Sequence, residues 1–108
     1  MCALASKSLF HINIFTPKAS RLDDFIAAQL EGIPRLGVIG GLNTSRLYRA
    51  EDGSRAIVVA GFDSIEAYQE FQNSAAFQAE RRRLQPLLDH VQPAFYRLVH
   101  ERDRGASD

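Results

Sequence analysis

Arg49-Ala50-Glu51-Asp52-Gly53-Ser54-Arg55-Ala56 is the stretch on which the reading of the fold turns. An Asp-Gly pair between two strand-like runs is a strong hairpin signal, because glycine enters the left-handed backbone region a tight turn needs. The run before it, Val38–Ala50, is interrupted by Gly40 and Gly41, which predicts a bulge or sharp bend. The run after it, Arg55–Phe62, carries Ile57, Val58 and Val59 at its centre.

Working outward, each strand of this hairpin is flanked by a helical pattern and then by another strand. On the N-terminal side Ser20 reads as a cap and Asp23 as a first-turn carboxylate. Leu22, Phe25, Ile26, Leu30 and Ile33 recur behind them at helical spacing, and Gly32, Pro34 and Gly37 close the helix. Ahead of it Leu9–Thr16, LFHINIFT, is rich in β-branched and aromatic residues, and Pro17 ends the strand. Side chains alternate across a strand, so Phe10, Ile12 and Ile14 point one way and His11, Asn13 and Phe15 the other. On the C-terminal side Asp63-Ser64 caps a helix in which Ile65, Tyr68 and Gln72 share a face. Asn73-Ser74 breaks it and starts another, whose stripe is Phe77, Leu84, Leu88 and Val91, kinked at Pro86 and ended by Pro93. Ala94–Glu101 is the last strand, and 102–108 reads as a flexible polar tail.

The order β-α-β-β-α-β is the split βαβ arrangement: an α+β, ferredoxin-like domain with a four-stranded antiparallel sheet and helices on one face. The whole chain, 1–108, reads as a single domain with an ordered core of about residues 8–101. Both faces of the first strand are substantially apolar, and the helices cover one. A symmetric homodimer packing sheet on sheet is the expected cover for the other.

Composition narrows the function classes. Lys plus Arg equals Asp plus Glu at 13 each, so no electrostatic case exists for nucleic acid or an acidic membrane surface. No stretch approaches the roughly 20 apolar residues that span a bilayer. The lone Cys2 permits no internal disulfide and has no basic neighbour to activate it, so a cytoplasmic protein is expected.

Familiar cofactor motifs do not occur. The chain contains no Gly-x-Ser-x-Gly elbow, phosphate-binding glycine loop or dinucleotide fingerprint. His11, His90 and His100 fall on different elements without zinc-like spacing, so no metal site is expected. Several polar residues instead stand where apolar ones belong. Asn13 and His11 interrupt the first strand, and either fill an interface or line a site. Arg81 falls inside the stripe of Phe77, Leu84 and Leu88, while Arg82 and Arg83 lean away. A guanidinium there either meets an anion or lays its stem on apolar surface with its head in water. Tyr68 on the core face of its helix is either a packed tyrosine or a hydrogen-bond donor to a ligand.

Gly61-Phe62-Asp63-Ser64-Ile65-Glu66-Ala67-Tyr68, then Phe71 and Ser74-Ala75-Ala76-Phe77, resembles the antibiotic biosynthesis monooxygenase family. The opening strand, the Pro17-Lys18 exit and the Pro93–Val99 strand extend the likeness over nearly the whole chain. The resemblance implies a dimeric α/β barrel with a cavity between sheet and helices in each subunit. It also implies oxidation of a small phenol or quinol-type aromatic by O₂, with no metal or flavin cofactor. The residues that quinone-forming members use match Val58, Phe62, Tyr68 and Arg82 here, so the tyrosine and arginine are kept and an Asn and a Trp are replaced. The helical wheel favours Arg81 over Arg82 for that arginine. The residues that haem-degrading members use match Asn13, Phe71 and Arg81, and with the histidine lost haem degradation is not expected. The expected catalytic set is Tyr68, Arg81, His11 and Asn13, with His11 the candidate base. Arg82, Phe62, Phe71 and Phe77 are the expected substrate-binding residues. A non-catalytic dimeric domain that binds a small ligand is the alternative.

Overall fold

The computed structural model describes residues 9–104. Cys2 and the last part of the expected tail, 105–108, lie outside the described residues. Four strands, β1 (Leu9–Pro17), β2 (Leu42–Arg49), β3 (Ala56–Phe62) and β4 (Leu88–Arg97), form one sheet in the order β2-β3-β1-β4. Every neighbouring pair is antiparallel. Three helices, α1 (Leu22–Leu36), α2 (Ile65–Gln72) and α3 (Ala75–Leu84), complete an α+β ferredoxin-like architecture.

The hairpin forms as the sequence dictates. Gly53 adopts φ 75°, its amide donates to the Ala50 carbonyl at 3.0 Å, and Asp52 Oδ1 accepts from the Ser54 amide and hydroxyl at 2.9 and 2.6 Å. The Gly40-Gly41 bend is also present: Gly41 has φ 78°, and the β2–β3 register shifts between Leu42 and Thr44. Strand pairing therefore begins at Leu42, not at Val38.

Helix ends differ from expectation in three places. Ser20 does not cap α1; it sits at φ 64°, and Arg21 takes the cap position without a side-chain bond. The first-turn carboxylates Asp23 and Asp24 remain to meet the helix dipole. Helix α1 runs through Gly32 and Pro34 to Leu36, since a proline in the last turn removes little helical bonding, and Gly37 at φ 67° stops it. The largest change follows α3, which ends at Leu84 instead of continuing to Pro93. Pro86 has no amide to continue the helical bonding, so Gln85–Leu87 form a single 3₁₀ turn and Leu88 is already extended at φ −111°, ψ 139°. Leu88 and Val91 thus belong to β4 and not to a helical stripe, and the last strand runs Leu88–Arg97 instead of the expected Ala94–Glu101. Pro93 lies within that strand, tolerated because β4 is at the sheet edge. The caps at Ser64 and Ser74 form as read: their hydroxyls accept from the Ala67 and Phe77 amides at 3.0 and 3.2 Å.

The apolar interior divides into two clusters. Leu22, Phe25 and Ala56 anchor one, against Phe15, Leu47, Leu84 and Leu88. Ala60, Phe62 and Tyr68 anchor the other, against Ile39, Leu42 and Phe71.

Candidate functional site

Residues directly opposite in antiparallel strands share a face. Register therefore places His11, Asn13 and Phe15 of β1 on the helix side with Val58 and Ala60 of β3 and with Pro93 and Phe95 of β4. Phe15 packs on Phe25 in the first cluster, and His11 packs on Tyr68 in the second. Asn13 stands between them, at the seam of the core, directly opposite Val58. Its Oδ1 is buried and has no hydrogen-bond partner. Leaving such an acceptor unmet costs about 1–3 kcal/mol, so a donor from water or a ligand would stabilise the seam.

Beside it lies an aromatic nest. The His11 imidazole stacks on the Tyr68 ring at 4.1 Å and 20°, and Phe62 meets Tyr68 edge-on at 5.4 Å. His11 and Tyr68 are only 8% and 9% exposed. Burial lowers the His11 pKa below its ordinary 6.5 and keeps the ring neutral. Burial also raises the Tyr68 pKa above 10.0, opposed by the positive charge of Arg81. Tyr68 is therefore a protonated donor at neutral pH.

Arg81 lies on α3 four residues after Phe77 and three before Leu84, so it shares their face, near enough to Tyr68 for its charge to act there. Its side chain is exposed, as is that of Arg82. Of the three arginines Arg83, expected to lean away, is the one half-buried. It donates to Glu80 Oε1 at 2.6 Å and to the Ala28 carbonyl at 2.7 Å, tying α3 to α1. Phe62 is buried, and Phe71 and Phe77 continue its ring chain, with centroid separations of 6.1 and 4.7 Å. Phe71 and Phe77 thus lie at one end of the nest, away from Asn13. Phe71 also lines a cleft of about 190 Å³ with Leu36, Ile39 and Glu70.

Phe95 was missed. Its ring is edge-on to both His11 and Tyr68, at 5.1 Å in each case. Only the β1–β4 register, which sets Phe95 across from His11, reveals it. A second cleft, of about 290 Å³, lies between Lys18, Ser20, Asp23, Arg49 and Ser54. Arg49 pairs with Asp23 there at 3.2 Å, and neither cleft is lined by His11, Asn13, Tyr68 or Phe95. Among the described residues no group of three or more His, Cys, Asp or Glu side chains converges, and no helix is long and apolar enough to cross a membrane.

This architecture is that of the antibiotic biosynthesis monooxygenase-like proteins. A protein of Bordetella bronchiseptica bearing the antibiotic biosynthesis monooxygenase name matches it with a TM-score of 0.77 and 20% identity, over 87% of this chain and 99% of that one. SnoaB, a cofactor-independent oxygenase from Streptomyces nogalater, matches at a TM-score of 0.75 and 14% identity, over 88% and 96%. PA3566 from Pseudomonas aeruginosa matches at 0.75 and 15%, over 89% and 98%. No protein-family model and no curated protein matches the chain. At these identities the likeness is one of fold.

Proposed function

We propose that the protein is a cofactor-independent monooxygenase acting on a small phenol or quinol-type aromatic. The observation that carries this reading is the partnerless Asn13 Oδ1 at the core seam, beside a neutral imidazole and a protonated tyrosine. A phenolic hydroxyl supplies the donor that Asn13 lacks, and the adjoining rings supply an apolar wall for the rest of the molecule. His11, unprotonated at neutral pH, takes a proton from the substrate carbon or hydroxyl. Tyr68 donates to the developing oxyanion, and Arg81 at the rim adds positive charge. The resulting carbanion passes its electrons to O₂. A ring CH₂ gains one oxygen atom as C=O, and the second oxygen leaves as water with the two hydrogens lost from carbon. Electrons and atoms balance between substrate and O₂ alone, so turnover should persist in the presence of a chelator. The likeness to SnoaB supports this chemistry.

We further propose that the active form is a homodimer joined through the bare sheet face, and that it works in the cytoplasm. The alternative is a dimeric module that binds a small ligand without turning it over. The His11–Tyr68 stack already fills the face of Tyr68, so a ring must displace or adjoin it.

Oxygen uptake with hydroquinones and anthrone-type phenols separates the two. Tyr68→Phe and Arg81→Ala should each lower kcat/KM by about 100-fold, the usual effect of removing an oxyanion partner. If turnover survives both changes, the site is misassigned. Binding without any O₂ uptake establishes the ligand-binding alternative.

A further inference from the structure

Helix cover of β4 is sparse, with Tyr68 of α2 meeting it at Phe95. Helix α1 packs on β1 and α2 on β3, whereas every β4 residue after Leu88 is exposed. On the helix side of this strand the side chains are Val91, Pro93 and Phe95, facing the seam that holds Asn13. Phe95 is the transition between inside and outside. It touches two rings that are 8% and 9% exposed, yet is itself 38% exposed. Phe95 thus stands between solvent and the His11–Tyr68 stack.

Resting on the oxygenase reading above, we propose that Phe95 is the specificity-determining wall of the site: it limits how many fused rings a phenolic substrate has. Its ring stands edge-on to the nest, at 70° to His11 and 90° to Tyr68, and so blocks lateral extension while offering an edge to a flat ligand. The same site with a smaller residue here should admit a second or third fused ring. With a larger one it should hold a single ring only.

The test uses the full chain with hydroquinone, 1,4-naphthohydroquinone and anthrone as one-, two- and three-ring probes. Binding is measured by anaerobic equilibrium dialysis, and kcat and KM by O₂ uptake, for the wild type and for Phe95→Ala, Phe95→Leu and Phe95→Trp. Discrimination by one wall of an apolar pocket is about 10–100-fold, so Phe95→Ala should shift the three-ring to one-ring ratio of kcat/KM by about tenfold or more. The shift should appear in KM and in the dialysis constant more than in kcat. Phe95→Trp should move the ratio the other way. Phe95→Leu, which keeps apolar bulk without the ring, provides the well-packed control should the alanine variant fail to fold, and its ratio should fall between those of wild type and Phe95→Ala. If the wild type binds and turns over the probes but the ratio is flat across the variants, the Phe95 assignment is overturned and the oxygenase reading stands. If the wild type binds none of the three probes, both fall together.

Discussion

His11 is an unusual occupant of a core strand, and its neighbours define how it responds to acid. Tyr68 and Phe95 face it as uncharged rings, and the positive charge of Arg81 acts on Tyr68. Burial holds the folded-state pKa below 6.5. As pH falls from 6.5 to that lowered value the unfolded chain gains a proton that the folded chain refuses, so stability is lost across this window and is complete above it. His11→Phe should therefore flatten the slope of unfolding free energy with pH on the acid side of 6.5, measured by urea titration at stepped pH. The carboxylates Asp52 and Glu80, held low by hydrogen bonds from Ser54 and Arg83, titrate further down. An unchanged slope in His11→Phe would show that the imidazole is solvated in solution. On the oxygenase reading, turnover should also rise with pH through the lowered His11 value and level off above it, as a plot of kcat against pH would show.

At the scale of the elements, the helices are held by small residues and caps as much as by apolar stripes. Gly32 lets α1 approach α3. A Cβ added there would strike Glu80 Oε1 and lie 2.6 Å from Arg83 Nη2, two groups already committed to each other and to the Ala28 carbonyl. Gly32→Ala should thus forfeit the roughly 1 kcal/mol that alanine otherwise gains in a helix and lower stability instead. In a Glu80→Ala/Arg83→Ala background the same substitution should be neutral or stabilising, a coupling that a double-mutant cycle by chemical denaturation detects. Ser74 is the second joint. Its hydroxyl accepts from the Phe77 amide and donates to the Phe71 carbonyl at 2.7 Å, fixing the break between α2 and α3. Ser74→Ala should cost about 1 kcal/mol, read as a lower urea midpoint. If Arg81 belongs to the site, the variant should also weaken turnover, because the cap sets the direction in which α3 carries that side chain.

The molecule as a whole has a sheet with one dressed face. Away from the helices, register aligns Phe10, Ile12 and Ile14 of β1 with Ile57 and Val59 of β3 and with Tyr96 and Ala94 of β4. Tyr48 of β2 and Tyr96 are 50% and 48% exposed. Contiguous apolar area of this kind marks an association surface. Analytical ultracentrifugation should find a dimer for the wild type and a monomer for Ile12→Lys, with far-UV circular dichroism unchanged. A monomeric wild type would sink the sheet-face dimer.

The sequence by itself determined the element order, the central hairpin, the serine-capped break after Gln72 and the two-faced character of β1. These follow from turn chemistry, caps and periodicity, which act within a few residues. It also singled out His11, Asn13 and Tyr68, because polar groups on an apolar pattern are visible without a fold. Tertiary structure alone decided where α3 stops, since Leu84, Leu88 and Val91 fit a helical stripe and are divided between helix and strand by Pro86 and by pairing with β1. It likewise decided that Arg83, rather than Arg81, is the half-buried guanidinium, because its partners Ala28 and Glu31 are distant in sequence. Phe95 joined the site only through strand register. A single-residue shift of register turns a side chain to the other face of a sheet, and the β1–β4 pairing that sets it for Phe95 joins strands at opposite ends of the chain.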